Sequence, residues 1–139
     1  MATINSAAFA ITANLPGNKV KAEVTCKLTF TLFEKLMMAN GVKFRLNCQL
    51  WGDDGGVIPI LNINQDDSLY NYPAKFYPDA TPALSETYVF SATFNSGTLN
   101  EDSMPLIALQ DEVYALVTLK NLETGVSWKK RSNTINAYF

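Results

Sequence analysis

An all-β fold, an antiparallel sandwich of about seven strands with Greek-key connections and one short helix, follows from three features of this sequence. Residues 19–32 alternate apolar and polar without a break, with Val20, Ala22, Val24, Cys26, Leu28, Phe30 and Leu32 on one face. Residues 42–51 repeat the pattern through Val42, Phe44, Leu46, Cys48 and Leu50. Turn-forming clusters then punctuate the rest of the chain at strand-length intervals. A period of two means extended chain with one face buried and one face wet, since successive side chains in a strand point to opposite sides.

The elements follow in order. Residues 4–13 are a weaker first strand through Ile4, Phe9 and Ile11, and residues 19–32 are the second. Thr31 and Glu34 have capping-box spacing, residues 36–39 are good helix formers and Asn40-Gly41 is a stop, which predicts a short helix over residues 33–39. After the strand at 42–51, Asp53-Asp54-Gly55-Gly56 is a tight turn. Residues 57–63 are read as the next strand, pushed to a sheet edge by Pro59, and residues 64–83, with Pro73, Pro78 and Pro82, as a long loop. Residues 84–94 alternate again, with Glu86 as the exception on the apolar face; residues 95–111 are a second long loop. Residues 112–120 are apolar on both faces, as in a central strand. Asn121 to Gly125 is a turn. The last strand has Val126 and Trp128 on even positions but Ile135, Ala137 and Phe139 on odd ones, so one extra residue must be inserted, a β-bulge near Lys130–Asn133. Tyr114, near the start of the sixth strand, resembles the tyrosine corner of immunoglobulin-like sandwiches. The resemblance covers a few residues and implies a sandwich topology without a function.

The 139 residues fit a single domain, 1–139, and the 17% charged share is low, its place taken by thirteen Asn and twelve Thr. A net charge of -2 gives no footing for nucleic acid. No apolar run reaches the ~20 residues of a membrane span, which argues against an integral membrane protein, and no secretory signal is visible, so the expected location is the cytoplasm.

The charge is segregated along the chain. Residues 19–45 are basic, while residues 52–112 hold ten acids and only Lys75. Simple alternation of strand direction brings the connections after 51 and after 94 to one pole, where Asp53, Asp54, Glu101, Asp102, Asp111 and Glu112 would gather. Calcium suits clustered loop carboxylates because it takes six to eight oxygen ligands in flexible geometry; the same acids also serve simply as soluble turn caps. With the basic outer face of residues 19–45, the acidic pole also suits head-to-flank association between copies. Trp51 and the ring-rich loop residues Tyr70, Tyr72 and Tyr77 are candidate contacts for a protein partner or a sugar.

Histidine is absent, which removes Ser-His and Cys-His catalysis and the common zinc sites. No Gly-rich phosphate loop is present. Cys26 and Cys48 fall on inward faces of neighbouring strands, opposite each other if residues 20–32 and 42–51 pair about Met37, and are read as buried thiols or as a disulfide. The expected role is a non-catalytic structural or protein-interaction module, with no cofactor apart from the calcium considered above. The alternative is a calcium-dependent module for a membrane or carbohydrate ligand.

Overall fold

The computed structural model describes residues 1–17, 19–52, 57–58, 63–64, 67–95 and 111–137. They form a β-sandwich. In the first sheet β1 (Thr3–Leu15), β2 (Lys19–Thr29) and β8 (Ser85–Asn95) lie in the order β1-β2-β8, all antiparallel. In the second sheet β3 (Phe44–Gly52) is central. The whole of one edge pairs with β9 (Asp111–Asn121); the other pairs with β7 (Lys75–Tyr77) and then β6 (Asp67–Asn71). The far edge of β9 pairs with β10 (Ser127–Arg131) and β11 (Ile135–Ala137). The chain crosses between sheets after β2, after β7 and after β8.

The alternation read from the sequence is the burial pattern. In β2 every second residue from Val20 to Leu28 is buried, and in β3 every second residue from Phe44 to Leu50. Side chains on the two inner faces meet in one core, and each fully buried Val, Leu or Phe contributes ~1.5–3 kcal/mol. Rings fill both ends of it. Phe30 meets Phe44 and Tyr77 edge-on at 5.2 and 5.5 Å, and Trp128 stacks on Phe44 at 6.4 Å. Towards the other end Tyr70 packs against Tyr72 at 5.0 Å and Phe94 at 4.7 Å.

Helix α1 (Leu32–Ala39) starts at the expected place. Thr31 Oγ1 accepts from the Glu34 N–H at 3.2 Å, and Glu34 Oε1 accepts from the Thr31 N–H at 2.9 Å, closing the capping box. Gly41 follows at φ +98, a conformation that a side chain would strain. The turn at 121–125 forms because Asn121 Oδ1 accepts from the N–H groups of Glu123 and Thr124 at 2.9 and 3.1 Å.

The expected bulge is present. Between the Arg131–Leu116 and Ile135–Val113 pairs, one strand advances four residues while its partner advances three. Ser132 stays tied to β9, donating its N–H to the Ala115 carbonyl at 2.9 Å and accepting the Ala115 N–H on Oγ at 2.8 Å. Asn133 turns to the other sheet: Oδ1 accepts from the Phe9 N–H at 2.9 Å and Nδ2 donates to the Phe9 carbonyl at 3.0 Å. The side-chain amide does the work of a neighbouring strand for β1, joining the two sheets at that edge.

Four expectations are corrected. Of the strand read at 57–63, the described residues fall in two short strands, Val57–Ile58 and Ile63–Asn64 (β4 and β5), which among the described residues pair with each other and with neither sheet. The fourth lane is supplied instead by β6 and β7 from the stretch read as a loop. Tyr70, Tyr72 and Tyr77 give that stretch an inner face, and its prolines fall between or after the strand segments. Tyr114 is not a tyrosine corner. It points out of the second sheet, where the Arg131 guanidinium lies 3.5 Å from its ring centre. Cys26 and Cys48, read as neighbours within a sheet, sit in opposite sheets because the connection through α1 crosses the sandwich.

Replacing Asn133 with Ala should cost ~1–3 kcal/mol in urea denaturation, since it strands both polar groups of Phe9. Glu86 Oε1 accepts from the Ala83 N–H at 3.1 Å, but partial burial, with nearby Asp79 second, raises its pKa. A carboxyl raised in the folded state favours folding while protonated, and that contribution is lost as pH rises through its folded pKa. Glu86→Gln should therefore raise the melting temperature at neutral pH, and the difference should vanish in acid, as read by thermal denaturation across pH.

Candidate functional site

The strand register sets out the outer face of the second sheet row by row, because directly paired residues share a face. The first row reads Phe76, Arg45, Lys120, Ser127. The next reads Asn47, Thr118, Lys129, and the next Asn71, Gln49, Leu116, Arg131. The last pairs Trp51 with Tyr114. None of these outward positions is acidic.

Arg45 and Lys120 are therefore like charges placed directly opposite, an arrangement that destabilises a sheet unless something offsets it. Arg45 donates from Nε to Asn47 Oδ1 at 2.8 Å, which aims the guanidinium along the strand. Among the described residues neither Lys120 nor Lys129 has an ion-pair partner. Arg45, Asn47, Gln49, Asn71, Thr118 and Lys129 line a hollow of about 470 Å³ on this face. Its chemistry is that of a donor-rich anion cradle: fixed cations, amide groups and one hydroxyl.

The basic patch read over residues 19–45 is not one surface. Lys19, Lys21 and Lys27 lie on the outer side of the first sheet, where Lys21 pairs with Glu23 at 3.6 Å. Lys35 and Lys43 flank the helix, and only Arg45 reaches the cationic face. Lys120, Lys129 and Arg131 complete it from strands distant in sequence, so no sequence window could display the patch.

The ends of the strands locate the acids. Gly52, Asp67, Asn95 and Asp111 lie together at the pole away from α1: Gly52 pairs with Asp67 and Val113, and Asn95 pairs with Lys19, which opens β2. The two connections anchored there, residues 52–67 and 95–112, contain eight acids and no Lys or Arg. Asp53, Asp54, Glu101 and Asp102 lie outside the described residues. Asp111 is described through its backbone, paired with Ala137, and Glu112 lies outward beside Asn136. Among the described residues no three acids or cysteines are placed to hold a metal ion.

The ring candidates separate sharply. Trp51 is half-buried on the outer face, and its indole N–H finds no acceptor among the described residues. Tyr70 is half-buried on the inner side. Tyr72 and Tyr77 are 4% and 2% exposed and belong to the core, so neither is offered to a partner as expected. Tyr72 crosses the sandwich to donate its hydroxyl to the Ala22 carbonyl at 2.8 Å. Burial raises the pKa of both phenols.

Cys26 and Cys48 are buried free thiols. Burial pushes Cys26 up to about 12; burial, and Cys26 after it, pushes Cys48 higher. Neither supplies a thiolate nucleophile near neutral pH. An aromatic disulfide reagent should label neither thiol in the native protein within the time that labels both in denaturant. Rapid native labelling would contradict the burial. No helix among the described residues is long and apolar enough to cross a membrane. Compared with protein-family models, with curated proteins and with solved structures, the chain matches none.

Proposed function

We propose that the protein is a non-catalytic interaction module that associates with its own copies head to flank, the acidic pole of one molecule resting on the cationic outer sheet face of the next. The observation that carries this reading is the facing pair Arg45 and Lys120, extended by Lys129, on a face where the outward acid Glu112 stands at the far end, beyond Tyr114. Its complement is a pole whose two connections hold eight acids and no base. Opposite patches of this kind steer encounter and fix orientation, and they relieve the repulsion that each patch carries alone. Because the two surfaces differ, the contact is heterologous and propagates into a ring or a filament.

The amide groups of Asn47, Gln49 and Asn71, with exposed Phe76, favour a second reading, an acidic polysaccharide lying across the same face. Planar amides and a ring suit sugar hydroxyls and ring faces, and the cations suit uronate or sulfate groups.

Light scattering separates these readings. Self-association predicts a mass above that of the monomer at low ionic strength, falling to the monomer at about 1 M salt, where the screening length is ~3 Å. Arg45→Glu combined with Lys120→Glu should give a monomer at every ionic strength. A wild-type protein that is monomeric at low salt, or an oligomer indifferent to salt and to both substitutions, would overturn it.

A further inference from the structure

Helix α1 is built inside out. Its buried residues are Met38 and the carboxylate Glu34, while Leu32, Phe33 and Leu36 are 74%, 70% and 60% exposed. These three stand three and four positions apart, so they form one contiguous apolar ridge. The helix is not loosely attached. Glu34 takes part in the capping box and also accepts the Ala2 N–H on Oε2 at 2.8 Å, and the Val42 N–H donates back to the Met37 carbonyl at 3.1 Å. A firmly held helix that spends its buried side on a carboxylate and shows water its leucines needs an apolar surface outside the molecule. Beside the ridge, Phe33, Met37, Val126 and Trp128 line an apolar hollow of about 190 Å³.

The charges select the occupant. Exposed Lys27, Lys35 and Lys43 stand around this pole; of its acids Glu123 is exposed, Glu86 is half-buried and Asp79 is paired with Lys75 at 3.4 Å. The two long connections, which hold eight acids, are anchored at the opposite pole. Apolar side chains and exposed lysines therefore share one end of the molecule. We propose that this end docks on an anionic lipid surface, with Leu32, Phe33 and Leu36 entering the headgroup region and the flanking lysines meeting the anionic headgroups. Neither force alone suffices for stable binding by so small a ridge, and together they supply the two signals such anchoring requires. No calcium is called on in this contact, since the described residues around the ridge include no group of three acids or cysteines placed to hold a metal ion.

Flotation with vesicles tests it. The protein should float with vesicles of phosphatidylcholine and phosphatidylserine at about 2:1, in EDTA as well as in calcium, and should not float with phosphatidylcholine alone. Leu32→Ser, Phe33→Ser and Leu36→Ser together should lower the bound fraction more than about tenfold with the far-ultraviolet dichroism unchanged. Lys35→Glu with Lys43→Glu, which leaves the ridge and the capping box in place, should do the same. Absence of binding to either vesicle overturns the proposal. So does binding that needs calcium. A concentration-dependent dimer, abolished by the triple substitution in a protein that ignores vesicles, assigns the ridge to a second copy instead. Because the facing pair Arg45 and Lys120 is untouched by these variants, their outcome is independent of the head-to-flank association.

Discussion

Everything in this fold rests on two inner rows of side chains, one in β2 and one in β3, packed face to face across a crossover. Val24, Cys26 and Leu28 from one row and Phe44, Leu46, Cys48 and Leu50 from the other are at most 2% exposed. The capped helix between them carries the chain from one sheet to the other. β9 then adds a third inner row, Val113 to Leu119, and the remaining strands are laid along the edges so defined. The core tolerates polar groups only where they are answered: Tyr72 reaches a carbonyl of the opposite sheet, and Ser132 answers a backbone amide of β9.

What the sequence made legible was everything with a short-range signature. Alternation marked β2, β3 and β8; the Thr31 and Glu34 pair marked the helix start; the change of parity between Trp128 and Ile135 marked the bulge. Pairing between distant segments leaves no such mark. The ends of the run at 57–63 were misplaced because β-formers read the same whether they join a large sheet or pair with each other, and prolines hid the inward rings of 67–77. The sheet that carries Arg45, Lys120 and Lys129 side by side was invisible for the same reason: their neighbourhood exists only once β3, β9 and β10 are in register. The inside-out helix escaped notice because Leu32 continues the apolar face of β2 and Leu36 reads simply as a helix former, while burial assigns the inner side of the helix to Glu34 and Met38.

The three surface features are ordered along one axis. Acid-rich connections leave one pole, cations and amides occupy one flank, and an apolar ridge with lysines marks the other pole. Each lies on a separate part of the molecule, so occupation of one leaves the others open. A sheet scaffold serves this well, since its outer faces and its two ends are chemically independent of a core that is already complete.

The amide of Asn133 has a further consequence for how the chain comes to its final form. It joins positions 124 residues apart, closing the first strand against the last bulge. Contacts of such separation form late, because the entropy of the intervening chain must be overcome before they return anything. During synthesis the ribosome releases β1 long before its clamp exists, and the N-terminal strand waits with an open edge through the making of nearly the whole domain. That interval, more than the finished molecule, is when this protein is most in need of protection from its neighbours.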